Sequence, residues 1–519
     1  MLRLPTTSTH PLLTLPLFAL GCGSGVGDPE GAPATAAPQP EQPTSSLPQA
    51  GTLPSAPSIL LVTVDTLRRD HLSCYGYFRE TSPCIDAFAK KGVLFERTLA
   101  PMASTYPSHL SILTGLYPHQ HGRTANRDGV KNPFKSIEGC ASVAVALRDQ
   151  GYRTGGFISS TVLHARTGVG EGFDHFSCPN PGQKPFKAAR ISGAFLEWLG
   201  EETEEQRPFF AWVHFWDTHE PNSPPPEHRA FFKTTPELKE RIAAAGIEPE
   251  PLVREFAEDE RVIDRFFLGN PVEGGGKNRQ RSNRKKPQYK ADPASIEDLW
   301  NRYDADLHYI DESLGRIFDD FDEKDLWKST IVIFVADHGQ SLGEFNSFGH
   351  GLISNINTFV PLIMRFPEGV VSQPARVKSL VSLVDIMPTV LARFGHGRLG
   401  ILPQFEGEDL FSGSFLRNRV MVQESSRFHL GGEREAAHAL LSGDWKFIRR
   451  ESGSELFNLA AGGETSDVLA EHPGVANRLN SELSALLERT SASGSDAVLS
   501  EEEGEALLEG LRELGYGGG

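Results

Sequence analysis

Ser58-Ile59-Leu60-Leu61-Val62-Thr63-Val64-Asp65 is the stretch that decides the fold. The run up to Val64 is almost wholly aliphatic and β-branched, as a strand buried on both faces of a parallel sheet must be. Asp65 stands at its carboxyl end, where open α/β sheets place their sites, although an Asp there also serves as a helix cap. The pattern returns twice. Thr330-Ile331-Val332-Ile333-Phe334-Val335-Ala336 ends in Asp337-His338-Gly339, and Pro208-Phe209-Phe210-Ala211-Trp212-Val213-His214-Phe215 runs into Trp216-Asp217-Thr218-His219-Glu220-Pro221. Helical patterns lie between them, at Ala141 to Gln150 and Ser295 to Phe321, so the chain reads as α/β.

A carboxylate and an imidazole on adjacent residues at a strand end can turn toward one cation. With Asp65, the pair Asp337 and His338 supplies mixed oxygen and nitrogen ligands for one divalent ion, Ca, Mg, Mn or Zn. His214, in the middle of an apolar run, reads instead as a core histidine.

Ser104-Thr105-Tyr106-Pro107-Ser108-His109-Leu110-Ser111-Ile112-Leu113-Thr114-Gly115 has the form of a capped helix with Pro107 in its first turn. Thr105 then lies at the helix N-terminus, where free amides and the dipole favour an anion or an ionised nucleophile.

This stretch resembles the sulfatase signature, Cys or Ser-x-Pro-Ser-Arg followed by four residues and then Thr-Gly. Pro107, Ser108, Thr114 and Gly115 match; Thr105 takes the Cys/Ser place and His109 the Arg place. The family Cys or Ser becomes formylglycine, an aldehyde that threonine cannot give. Asp65-Thr66-Leu67-Arg68 resembles the family's first metal motif with Thr66 in place of a second acid, and Ser159-Ser160-Thr161-Val162 stands where family members usually carry Gly-Lys-x-His. His219 matches a family His that contacts the anionic group, and His350 falls where sulfatases place a lysine. Tyr303-Asp304 and Asp311 match a family helix, and Val381 to Phe394, which also matches the family, reads as a structural helix packed on the sheet. The resemblance covers roughly Ser58 to Leu487 and implies an alkaline-phosphatase-like core with a mainly parallel sheet flanked by helices, plus a small C-terminal α+β subdomain.

The resemblance implies a metal-dependent hydrolase of sulfate or phosphate esters, with Asp65, Thr105, Asp337 and His338 on the metal and His109, His219 and His350 on the substrate's oxygens. An acid–Thr–Asp–His set also resembles the superfamily's phosphoryl-group transferases, such as lipoteichoic acid synthases and phosphoethanolamine transferases. A third reading is an inactive, sulfatase-like binding protein; retention of all four metal positions argues against it.

The rest of the 519 residues bounds the setting. A net charge of −17 argues against nucleic acid as a partner. Arg3, the apolar stretch Pro11 to Leu20 and Ala19-Leu20-Gly21-Cys22 read as a lipoprotein signal peptide over residues 1–22, with Cys22 lipidated. Residues 23–57, rich in Pro, Ala, Ser and Thr, read as a disordered tether. The expected protein is an exported bacterial lipoprotein of the periplasm or cell envelope, held to the membrane by a lipid anchor. It would meet an anionic ester substrate, a glycan or an envelope lipid. The catalytic domain is expected over 58–398 with an insertion at about 227–293, the C-terminal subdomain over 399–492, and an acidic flexible tail over 493–519. Inside the insertion, Lys277, Arg279, Arg281, Arg284, Lys285, Lys286 and Lys290 form a basic run, either solvated surface or a contact for a polyanion. Cys74, Cys84, Cys140 and Cys178 permit disulfides or free thiols alike.

Overall fold

The three apolar runs lie side by side. In the computed structural model, which describes residues 56–136, 140–201, 207–245, 293–344, 348–394, 406–412, 419–428, 435–488 and 501–513, β1 (Ser58–Val64) is flanked by β5 (Phe209–Phe215) and β6 (Thr330–Ala336), both parallel to it. Every residue of β5 and β6 is buried, and only Ser58 of β1 is partly exposed. This is why these segments show no alternation in the sequence.

Five further strands complete the sheet: β2 (Val93–Leu99), β3 (Arg153–Ile158), β4 (His175–Ser177), β9 (Phe359–Arg365) and β10 (Ala375–Ser382). The spatial order is β10-β2-β9-β6-β1-β5-β3-β4. Only β9 pairs antiparallel with its neighbours, β2 and β6, so the sheet is mainly parallel. The hydroxyl-rich stretch forms α1 (Thr105–Thr114), closed by Gly115 at φ 68°, whose amide bonds to the Ser111 carbonyl.

Two groups of helices flank the sheet. In one, α2 (Ala188–Gly200) and the short helix Pro83–Ala89 pack on α3 (Pro293–Glu323); in the other, Val143–Asp149 and Ile386–Leu391 pack on α1. Leu307, Ile310, Leu314, Ile317 and Phe321 recur every three or four residues of α3 and are all fully buried. Truncating one, as in Leu314→Ala, costs about 2–5 kcal/mol.

The C-terminal part is an antiparallel sheet, β11 (Val420–Phe428), β12 (Glu435–Ser442), β13 (Trp445–Arg450) and β14 (Ser454–Asn458), covered by α4 (Pro473–Leu487) through Ala476, Leu479 and Leu483. Its edge strand reaches loops of the core: the Glu424 amide donates to the Pro101 carbonyl at 2.8 Å, and Ser425 Oγ to the Gly351 carbonyl at 2.8 Å. A small ribbon, β7 (Ser341–Leu342) with β8 (Phe348–Gly349), leads into His350.

Three expectations differ from what is observed. Residues 406–412, assigned to the C-terminal part, pack on the core instead: Leu410 and Phe411 are buried in it, and the Glu406 amide bonds to the Gly115 carbonyl. Val381 to Phe394, read as one helix, begins as the end of β10, passes through a 3-10 turn and continues as Ile386–Leu391. The tail holds a helix, α5 (Glu501–Glu513), whose Leu507 and Leu511 are buried one turn apart; that spacing gives an otherwise acidic segment one apolar face. The expected signal peptide, the basic run and all but the last two residues of the expected tether lie outside the described residues. Cys74, Cys84, Cys140 and Cys178 are free thiols.

Candidate metal centre and nucleophile

Val64 of β1 is in register with Ala336 of β6, so Asp65 and Asp337 emerge side by side one residue later. Ligand atoms of Asp65, Asp337 and His338 lie within 4.8 Å of one another, all in fully buried residues. Neither Asp65 oxygen has a hydrogen-bond partner of ordinary geometry among the described residues, and Asp337 Oδ2 likewise has none. Asp337 Oδ1 accepts the amides of Thr66 at 3.1 Å and His338 at 2.7 Å.

Burial pushes both carboxyls well above the ordinary range, and the charge of Asp65 pushes Asp337 further. Buried carboxylate oxygens left without donors are costly unless a cation meets them. His338 supplies the third arm: its Nδ1–H donates to the Gly339 carbonyl at 3.0 Å, which leaves the Nε2 lone pair for the cluster. Thr105 Oγ1 lies 3.4 Å from that Nε2. The four side chains thus fit one divalent ion by their chemistry and by the orphaned oxygens.

Thr105 owes its place to the first turn of α1. Asn126 Oδ1 accepts the Tyr106 amide at 2.8 Å and the Ser104 hydroxyl at 3.0 Å, capping the helix from outside it. Ser104, one residue out of register with the signature, is thereby turned away. Ser108 Oγ donates to the Asp337 main-chain carbonyl at 2.7 Å and ties α1 to β6.

His109 does not stand on the open side. Its Nδ1 donates to the Thr105 carbonyl at 2.7 Å and its Nε2 accepts from Thr63 Oγ1 at 3.1 Å, while the Trp212 indole donates to the same Thr63 oxygen. Both ring nitrogens are spent inside the protein, with Asp337 Oδ2 3.5 Å from Nδ1. His219 and His350 come together beside the cluster: their Nε2 atoms are 3.3 Å apart, His219 stacks on Trp216 at 3.8 Å, and the His350 ring lies tilted against His338 at 4.4 Å. Of Asp65, Thr105, His109, His219, Asp337, His338 and His350, only His350 is partly exposed. Burial holds His109, His219 and His338 well below the ordinary imidazole range, so all three are neutral.

His214, read from sequence as a core residue, lies at the centre. It is in register with Thr63, on the face of the sheet that Asp65 shares by the two-residue period. Its Nδ1 accepts the Ser159 amide, so the proton is on Nε2, 3.6 Å from Asp65 Oδ2. Burial depresses it to about 3. That register, a lone polar residue one step short of the strand end, was the signal available in the sequence.

The chain has known relatives. The Clostridium perfringens arylsulfatase is 24% identical over 445 residues, covering 76% of this chain and 85% of that one. The N-acetylglucosamine-6-O-sulfatase of Bacteroides thetaiotaomicron is 23% identical over 402 residues, covering 64% and 67%. The fold is shared with the phosphonate monoester hydrolase of Agrobacterium radiobacter, at a TM-score of 0.61 and 21% identity over 83% of this chain and 96% of that one. The description of the sulfatase family matches residues 57–396, a stretch that contains every residue of the site, and the chain belongs to that family of hydrolases.

Proposed function

We propose that this sulfatase-family hydrolase cleaves sulfate or phosphate esters with unmodified Thr105 as its nucleophile, on a divalent ion held by Asp65, Thr105, Asp337 and His338. The observation that carries the reading is the convergence of the Thr105 hydroxyl with three orphaned carboxylate oxygens and an imidazole lone pair in one buried cluster. The ion would neutralise charge on the attacked anion and lower the pKa of the Thr105 hydroxyl. His109 fixes the Thr105 carbonyl and Asn126 the turn before it, so Oγ1 is oriented by main-chain contacts. His219 and His350 face the remaining oxygens of the substrate.

Attack by Thr105 Oγ1 on sulfur or phosphorus would form a sulfate or phosphate ester on that oxygen and break the bond to the substrate's bridging oxygen, which leaves as the alcohol carrying the proton lost by the Thr105 hydroxyl. A threonine ester lacks the second hydroxyl through which formylglycine collapses, so a fresh nucleophile must displace it at the same atom. Water completes a hydrolysis; an alcohol acceptor in the envelope would complete a group transfer, the second reading that the Thr in this place favours. A sulfated or phosphorylated glycan, or an envelope lipid, is the substrate class proposed.

The test pairs metal analysis with turnover of aryl sulfates and of aryl phosphate mono- and diesters. Thr105→Ala is expected to lower kcat/KM on the order of a thousandfold, and Thr105→Ser to keep a good part of it. Full activity of Thr105→Ala would sink the mechanism. Membrane anchoring through lipidated Cys22 belongs to the same proposal. No described helix is long and apolar enough to cross a membrane. Cys22→Ala should move the protein from the membrane fraction to the soluble one, and unchanged detergent partitioning would refute the anchor.

A further inference from the structure

Thr66 adopts a backbone conformation that a β-branched residue avoids. Its φ is 56°, in the left-handed region where Cβ crowds the carbonyl oxygen. The conformation has one consequence for the site: it turns the Thr66 amide on to Asp337 Oδ1, 3.1 Å away. The Thr66 hydroxyl meanwhile donates to the Asp65 carbonyl at 2.7 Å. Where the family motif has a second acid, this chain therefore presents a main-chain donor. With the His338 amide, that donor occupies Oδ1 and leaves Oδ2 to the cluster.

Something must hold Thr66 in place, and α3 supplies it. The Tyr303 hydroxyl donates to the Thr66 carbonyl at 2.9 Å and accepts the Arg68 amide at 2.8 Å. A phenol has one proton to give, and these two bonds use it as donor and as acceptor across the same turn. The ring is fully buried and lies edge-on to His71 at 4.9 Å, so the hydroxyl cannot swing away without repacking.

We propose that Tyr303 is a positioning residue of the metal centre, a clamp that keeps Thr66 left-handed so that its amide fixes Asp337 Oδ1 and leaves Oδ2 for the ion. The inference rests on the metal-centre reading above and assigns a role to a residue that touches neither ion nor substrate.

The test titrates the full chain, stripped of metal, with Mn2+ by calorimetry, with circular dichroism to check the fold. Tyr303→Phe keeps the ring and removes the hydroxyl, and should weaken Mn2+ binding about tenfold or more, as loss of an outer partner does. Adding Thr66→Gly should return the affinity to within about threefold of Thr66→Gly alone, because glycine holds positive φ without a clamp. Packing damage at position 303 would not be repaired by deleting a side chain at 66, so an unrescued defect overturns the proposal, as does wild-type affinity in Tyr303→Phe. Should Tyr303→Phe fail to fold, the same double variant decides: Mn2+ binding tenfold weaker than Thr66→Gly alone refutes the clamp. A wild-type chain that binds no Mn2+ refutes the metal reading itself, and the clamp with it.

Discussion

Asp65 and Asp337 close neighbouring parallel strands at one level of the sheet, both fully buried, yet the protein treats them differently. Asp337 is anchored by two amides on one oxygen and keeps the other open. The Asp65 carboxylate has no hydrogen bond of ordinary geometry among the described residues; His214 Nε2 stands 3.6 Å from its Oδ2, and the Thr105 side chain lies beside it. One carboxylate is placed by the fold, and the other is left for a cation to place. A metal centre built on these two groups would thus be half preorganised, with its charge cost concentrated at Asp65.

Paired substitutions break or confirm this asymmetry most directly. Asp65→Asn should weaken divalent-ion binding by more than about a hundredfold, beyond the loss typical of an outer partner. In the metal-free protein the same change should raise the melting midpoint, because it removes an uncompensated buried charge. Asp337→Asn should cost as much ion affinity but raise the metal-free midpoint less, since its Oδ1 already meets two amides. Calorimetric melts of both variants in chelator check this; equal shifts would show that the two carboxylates are held alike.

How far the sequence could reveal such a centre depends on the range of the contacts involved. The strand ends were legible because a buried parallel strand must be apolar throughout, so Asp65 and Asp337-His338 stood out at the ends of β1 and β6. Thr105 was legible from Pro107 and Gly115, which bracket α1. Partners brought in from afar left no local mark. Asn126 caps α1 from twelve residues beyond its last turn, Tyr303 reaches Thr66 from α3, and Ser425 arrives from the C-terminal sheet. His214 was hidden because apolar neighbours report burial and not register. His109 matched an Arg place in the motif, but imidazole is too short to do what a guanidinium would, and it bonds within the core.

A smaller effect comes from protons. Burial raises both carboxyls, so the metal-free fold binds protons more tightly there than the unfolded chain does. Stability from these groups is fully present below the ordinary Asp range, about pH 4, and is lost as pH rises through the raised values. The stabilisation gained by Asp65→Asn without metal should therefore grow as pH rises from about 4 toward neutrality. Metal binding runs the opposite way, since the ion displaces protons: affinity should rise with pH, and binding heats should differ between buffers of unlike ionisation enthalpy. A pH-independent difference between wild type and Asp65→Asn would mean that Asp65 is charged and satisfied without the ion.

The smallest expected effect separates the two ways in which Asp337 is held. Ser108 Oγ donates to the main-chain carbonyl of Asp337, not to its carboxylate. If the amides of Thr66 and His338 place the carboxylate, Ser108→Ala should cost about 1 kcal/mol of stability, the worth of one net hydrogen bond, by denaturant titration. Ion affinity should then change by less than about threefold, because outer partners that do matter cost tenfold or more. A loss as large as tenfold would place the control of Asp337 in the tie between α1 and β6. Its oxygens would then be set by the helix that carries Thr105, and the difference from Asp65 would lie in the strand's anchorage and not in the amides.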